Sequence, residues 1–218
     1  MKKTVLTCML LQEMKDAAYS ALQPEIHLDS NYKKPVYYPI NALMANQLEP
    51  GDQLTVIAIK FNDEVNPSNQ LIFQKNWSLF KDELNDINKE IGATIQYELV
   101  ETDFRETMDV FTERFLDIFK ALQKDSTIYA DITFGPKTAT LLLMNLLGFA
   151  EQFCGSDIEA IVYGKASMVP NPQLGRSEAK DGKVMDVSSL YYLTSFTNAI
   201  KADTAEEALQ VLKKFFSN

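Results

Sequence analysis

Histidine is almost missing from this chain: His27 is the only one in 218 residues. That excludes an H-E-x-x-H zinc site, and a Ser-His-Asp triad would need some other residue as its base. His27 lies in a polar stretch and reads as a structural or solvated side chain. Cysteine is scarce too. Cys8 and Cys154 sit in apolar stretches without C-x-x-C or other ligand spacing, which predicts buried free thiols, not a disulfide scaffold or a metal site. No apolar run reaches the roughly 18 residues of a membrane span. The opening MKKTVLTCMLLQEMKD lacks the cleavage site and apolar core of a signal peptide, so a reducing, cytoplasmic setting is expected. Positive charge is in deficit, with 21 basic against 30 acidic residues and a net charge of -9. A protein that coats long nucleic acid through many neutralised phosphates is therefore excluded. A small phosphorylated ligand, held locally by backbone donors and one or two lysines, remains compatible. Three nucleotide and hydrolase signatures are also missing: a G-x-G-x-x-G after the first strand, a Walker A loop and a G-x-S-x-G elbow.

What is present is an alternation of buried strands and helices. Apolar runs at Thr4–Leu11, Leu54–Ile59, Thr94–Val100, Thr127–Ile132 and Ile158–Tyr163 read as five strands. Between them, helical patterns cover Ile40–Gln47, then a long region started by Asn66-Pro67-Ser68 and running to about Glu90, with Leu71, Trp77, Phe80, Leu84 and Ile87 spaced three, four or six apart and Gly92 as the stop. A third helix carries Phe104, Met108, Phe111, Phe115, Ile118 and Leu122, with Asp103 and Glu106 as its capping box. A fourth runs Ala139–Phe153. Such alternation predicts a Rossmann-like, doubly wound α/β fold: a mainly parallel sheet with helices on both faces. Residues 1–165 form that domain. Residues 166–218 are read as an exposed loop or loose hairpin over Lys165–Lys183, then a helical extension packing on the same domain, whose last helix is capped near Asp203-Thr204.

In open parallel sheets the ligand crevice lies at the carboxyl ends of the strands. Thr133-Phe134-Gly135-Pro136-Lys137-Thr138, after the fourth strand, has the chemistry for an anion there. Gly135 allows a tight turn, Pro136 suits a helix start, and the amides of Lys137 and Thr138 stay free to donate. The Lys137 ammonium and the hydroxyls of Thr133 and Thr138 add to this. A plain helix start with a solvated lysine accounts for the same residues. Asp131 ends the strand, where its carboxylate fixes the loop through the loop amides. The carboxylates Asp82, Glu83, Asp86, Glu90, Glu98, Glu101 and Asp103 read as solvated faces, and neither metal nor cofactor is expected.

The segment YADITFGPKTATLLLMNLLGFAEQF followed by IEAIVYGK resembles the CRISPR-associated Rossmann fold proteins of type III systems. The opening VLTCML, the Tyr38-Pro39-Ile40-Asn41 helix start and Asp186–Leu190 are similar to that family as well. Relatives often have a small-residue turn such as Leu-Gly-Thr after strand one, where this chain has Leu10-Leu11-Gln12. The resemblance implies a cytoplasmic homodimer that binds a cyclic tetra- or hexa-adenylate across its two-fold axis in antiviral signalling. Met9, Leu10 and Gln12 from the first loop, and Thr133, Phe134, Gly135, Lys137 and Thr138 from the second, would face the ligand. A separate effector protein would receive the signal. Two other functions fit the residues: a metal-independent ring nuclease in which Lys137 stabilises the developing charge, and a Rossmann-like enzyme acting on an unrelated nucleotide.

Overall fold

The computed structural model describes residues 1–10, 19–21, 36–62, 68–173 and 176–216. Its elements are β1 (Lys2–Cys8), β2 (Tyr19–Ala21), α1 (Pro39–Gln47), β3 (Gln53–Asn62), α2 (Ser68–Asn88), β4 (Thr94–Asp103), α3 (Met108–Ala121), β5 (Thr127–Asp131), α4 (Lys137–Cys154), β6 (Asp157–Asn171), β7 (Arg176–Asp186), α5 (Ser188–Ala199) and α6 (Ala205–Phe216). One sheet runs β2-β7-β6-β5-β1-β3-β4. Its five strands from β6 to β4 are all parallel, while β7 runs antiparallel to β6. Numbered by their sequence order among themselves, these five are arranged 5-4-1-2-3, the order of a Rossmann-like doubly wound sheet.

The inner strands of the parallel group are apolar runs buried on both faces. Along β1, Val5 belongs to a core with α1 and α2, whereas Leu6 and Cys8 belong to a second core with α3 and α4. Such two-sided burial makes continuous apolar strands at the centre of the sheet. The edge strand β4 differs, alternating exposed and half-buried residues. Among the described residues no helix is long and apolar enough to cross a membrane.

Several expectations are corrected. Asp103 and Glu106 do not cap α3. Asp103 closes β4 and accepts from the Arg105 amide and Nε at 2.8 and 2.6 Å, Glu106 accepts from Thr138, and the N-cap is Thr107. The buried line of α3 is Val110, Arg114 and Ile118. Met108 is exposed, and Phe115 turns sideways to meet Phe149 of α4 at 5.5 Å. The predicted stripe mixed two directions, one toward the sheet and one toward the neighbouring helix. Leu71 points to solvent, and α2 instead buries Phe73, Phe80, Leu84 and Ile87. The fifth strand does not stop at Tyr163 but continues to Asn171 and pairs with β7, so of the two alternatives for Lys165–Lys183 its described residues take the hairpin, as an extension of the sheet. At α6 the expected cap does form: Glu207 N donates to Thr204 Oγ1 at 3.2 Å, and the Glu207 carboxylate accepts from the Asp203 amide at 3.1 Å.

Candidate functional site

The strand order reverses between β1 and β5, and the crevice of a doubly wound sheet opens where neighbouring connections leave in opposite directions. At the carboxyl end of that pair stand Cys8–Leu10 on one side and Asp131–Lys137 on the other. The two segments touch. Gly135 has φ +94°, and a Cβ there would come within 2.8 Å of Cys8 Cβ and 3.1 Å of its Sγ. Only glycine takes this backbone shape without strain and also clears the thiol.

Asp131 organises the turn. Its carboxylate is fully buried and accepts from the Thr133 amide at 2.8 Å, the loop-fixing contact expected of it. On its other side lies the start of α1, whose Ile40 amide helps to hold its charge; burial nonetheless pushes its pKa up to about 6. The Thr133 hydroxyl then accepts from the Gly164 amide of β6 at 2.7 Å. The turn is thus pinned to β5 and β6 before α4 begins.

Helix α4 starts at Lys137, with Pro136 as its N-cap in an extended conformation. The first-turn amides of a helix have no intrahelical acceptor, so those of Lys137 and Thr138 are donors facing outward from the crevice edge. Lys137 is exposed, and among the described residues it has no ion-pair partner. Thr138 is committed elsewhere: its hydroxyl donates to Glu106 at 2.5 Å, toward α3.

The first loop contributes less. Met9 is packed in the α1 core, its amide bonded to the Ile59 carbonyl at 3.1 Å. Leu10 offers its carbonyl to Asn76 Nδ2 at 3.0 Å. Gln12 lies outside the described residues, as does His27. Phe134 folds back against Tyr38, ring to ring at 5.8 Å. Of the residues expected to meet a ligand, Gly135 and Lys137 stand at the crevice edge, while the hydroxyls of Thr133 and Thr138 are spent inside the chain.

Two charged groups at this end of the sheet correct the sequence reading: Glu83, read there as part of a solvated face, is buried, and Arg114, not singled out there, is buried too. Glu83 of α2 is buried and accepts from the amides of Tyr37 at 2.6 Å and Tyr38 at 3.2 Å and from Asn41 Nδ2 at 2.8 Å. Burial raises its pKa to about 7. Arg114 of α3 is 1 % exposed. Nε donates to Thr102 Oγ1 at 3.0 Å and one terminal nitrogen to the Asp103 carbonyl at 2.8 Å, but Nη1 has no partner. Its guanidinium lies 5.0 Å from the Phe61 ring, and Phe61 and Cys8 are the side chains that crowd Gly135. A buried positive charge therefore sits behind the Gly135 turn. The Cys8 thiol there is pushed up to about 12 by burial and by Asp131, against the pull of Arg114. Both residues had one legible sign: a charged side chain at i, i+3 or i+4 from apolar residues on a buried stripe. Among the described residues no group of acidic, cysteine or histidine side chains could hold a metal. No protein-family model matches the chain, and no curated protein matches it.

Proposed function

We propose that the protein is a cyclic oligoadenylate sensor that acts as a homodimer in type III CRISPR antiviral signalling. One observation carries the reading: the Gly135–Lys137 turn stands at the β1/β5 switch point, with helix amides beside an exposed ammonium that has no ion-pair partner among the described residues. Phosphate is what such donors recognise. Both threonine hydroxyls are already bonded within the chain. What is left for the ligand is a set of donors that hold an anion.

The outer side of α4 supports pairing with a second copy. Leu141 and Phe153 are exposed, and α3 and α4 enclose an apolar groove of about 430 Å³ lined by Phe111, Phe115, Leu116 and Leu142. Apolar surface of this kind is characteristic of an interface. Because α4 begins at the site, a two-fold axis along this helix brings two Lys137 turns to one ligand.

Incubation with labelled cyclic tetra- and hexa-adenylate, followed by chromatography, tests the reading. Intact ring retained on the protein is expected; linear products would make it a ring nuclease, and no binding would reject both. Lys137→Ala should weaken binding roughly tenfold or more while leaving the melting temperature unchanged, since an exposed lysine contributes little to stability.

A further inference from the structure

Strand β6 outruns its neighbour. It pairs with β5 only as far as Val162, then continues with β7 alone, whose Gly182–Val184 stretch is paired on its other edge with β2. At the base of this β6–β7 ribbon Lys165 lies directly opposite Lys183. Like charges facing each other across an antiparallel ladder destabilise it. Both lysines are exposed, and among the described residues neither has an ion-pair partner. In a chain of net charge -9, two adjoining lysines with no ion pair among the described residues concentrate positive charge locally.

Their direction follows from the alternation of side chains along a strand. Val162 and Val184 are buried in the core on the α1 side. Counting on from them, Lys165 and Lys183 project from the other face, where α4 lies. The turn touches the ribbon at the adjacent residue, since Thr133 Oγ1 accepts from the Gly164 amide at 2.7 Å. Lys137, Lys165 and Lys183 therefore stand at the same end of the same face. The buried, incompletely paired guanidinium of Arg114 lies behind the turn that joins them.

We propose that Lys165 and Lys183 form a second phosphate subsite beside the Gly135–Lys137 turn, so that the ligand is one carrying at least two phosphate groups. This rests on the turn being a phosphate receiver, as proposed above. Ligand phosphate then offsets the repulsion that the empty ladder carries.

The test uses the full chain and a Lys165→Gln/Lys183→Gln variant. A Lys89→Gln/Lys120→Gln variant serves as control, because those lysines are exposed and paired with Asp86 and Asp117 away from the site. The ribbon variant should melt no lower than the parent, since the like-charge contact is gone. It should bind cyclic tetra- or hexa-adenylate at least tenfold more weakly, with the control unchanged. Inorganic tripolyphosphate should raise the melting temperature of the parent more than orthophosphate does, and the ribbon variant should lose that difference. Equal ring binding by parent and ribbon variant overturns the subsite and leaves the sensor reading in place. If the parent binds neither ring but responds to tripolyphosphate through the two lysines, the sensor reading falls and the subsite stands. No response to ring or tripolyphosphate overturns both.

Discussion

Gly135 is the residue on which the crevice geometry turns. Its φ of +94° and its 2.8 Å clearance to Cys8 Cβ leave no room for a side chain. Gly135→Ala is therefore expected to cost about 1–3 kcal/mol, read as a lower denaturation midpoint, and to push the β1 and β5 ends apart. Replacement at Gly51 or Gly92, where no atom lies within 4 Å of the added Cβ, carries the dihedral strain alone and should cost less. The glycine and the lysine of this turn could be read in the sequence because their chemistry is local. Thr133 and Thr138 could not be read so fully. Their hydroxyl partners, Gly164 and Glu106, are 31 and 32 residues distant, and only the assembled sheet brings them near.

At the scale of elements, strands were the most legible because burial on both faces leaves an unbroken apolar run. All five predicted strands exist, and their errors lie at the ends. Helices were less so. In α3 the residues that meet the sheet and those that meet α4 form two stripes, and a single periodic pattern merged them. Arg114 falls on the buried stripe between Val110 and Ile118, a place where its charge argues for the surface. It is retained inside by Thr102, the Asp103 carbonyl and the rings of Phe61 and Phe111. The β6–β7 ribbon was hidden for a different reason. In its β6 arm Lys165, Ser167, Val169 and Pro170 are exposed, so the apolar run by which strands are recognised is missing there.

The whole molecule carries its buried charge unevenly, and this sets its response to pH. Glu83 and Asp131, with pKa values raised to about 7 and about 6, keep protons in the folded chain that the unfolded chain has already released. Their contribution is complete below about pH 4 and is lost as pH climbs toward 7, about 3 kcal/mol for each group. Asp52 acts in the opposite sense. Burial would raise it, but Lys3, the terminal ammonium and the Glu49 amide bring it down to about 2, so its contribution is lost as pH falls from about 4 to 2. Chemical denaturation across pH should place maximum stability near pH 4–5. An Asp131→Asn/Glu83→Gln variant should flatten the decline above it; an unchanged slope would contradict the assignment.

Helix α4 spans the sheet with a shielded sulfur atom near each extremity. Cys8 lies under the turn where the helix begins, and Cys154 is its last residue. Neither can meet an alkylating reagent until its own end of the protein loosens, so native-state labelling rates time the two openings separately. A molecule seated over Lys137 should slow the capture of Cys8 and leave that of Cys154 as it was, which makes the pair of thiols a clock and its reference within one chain.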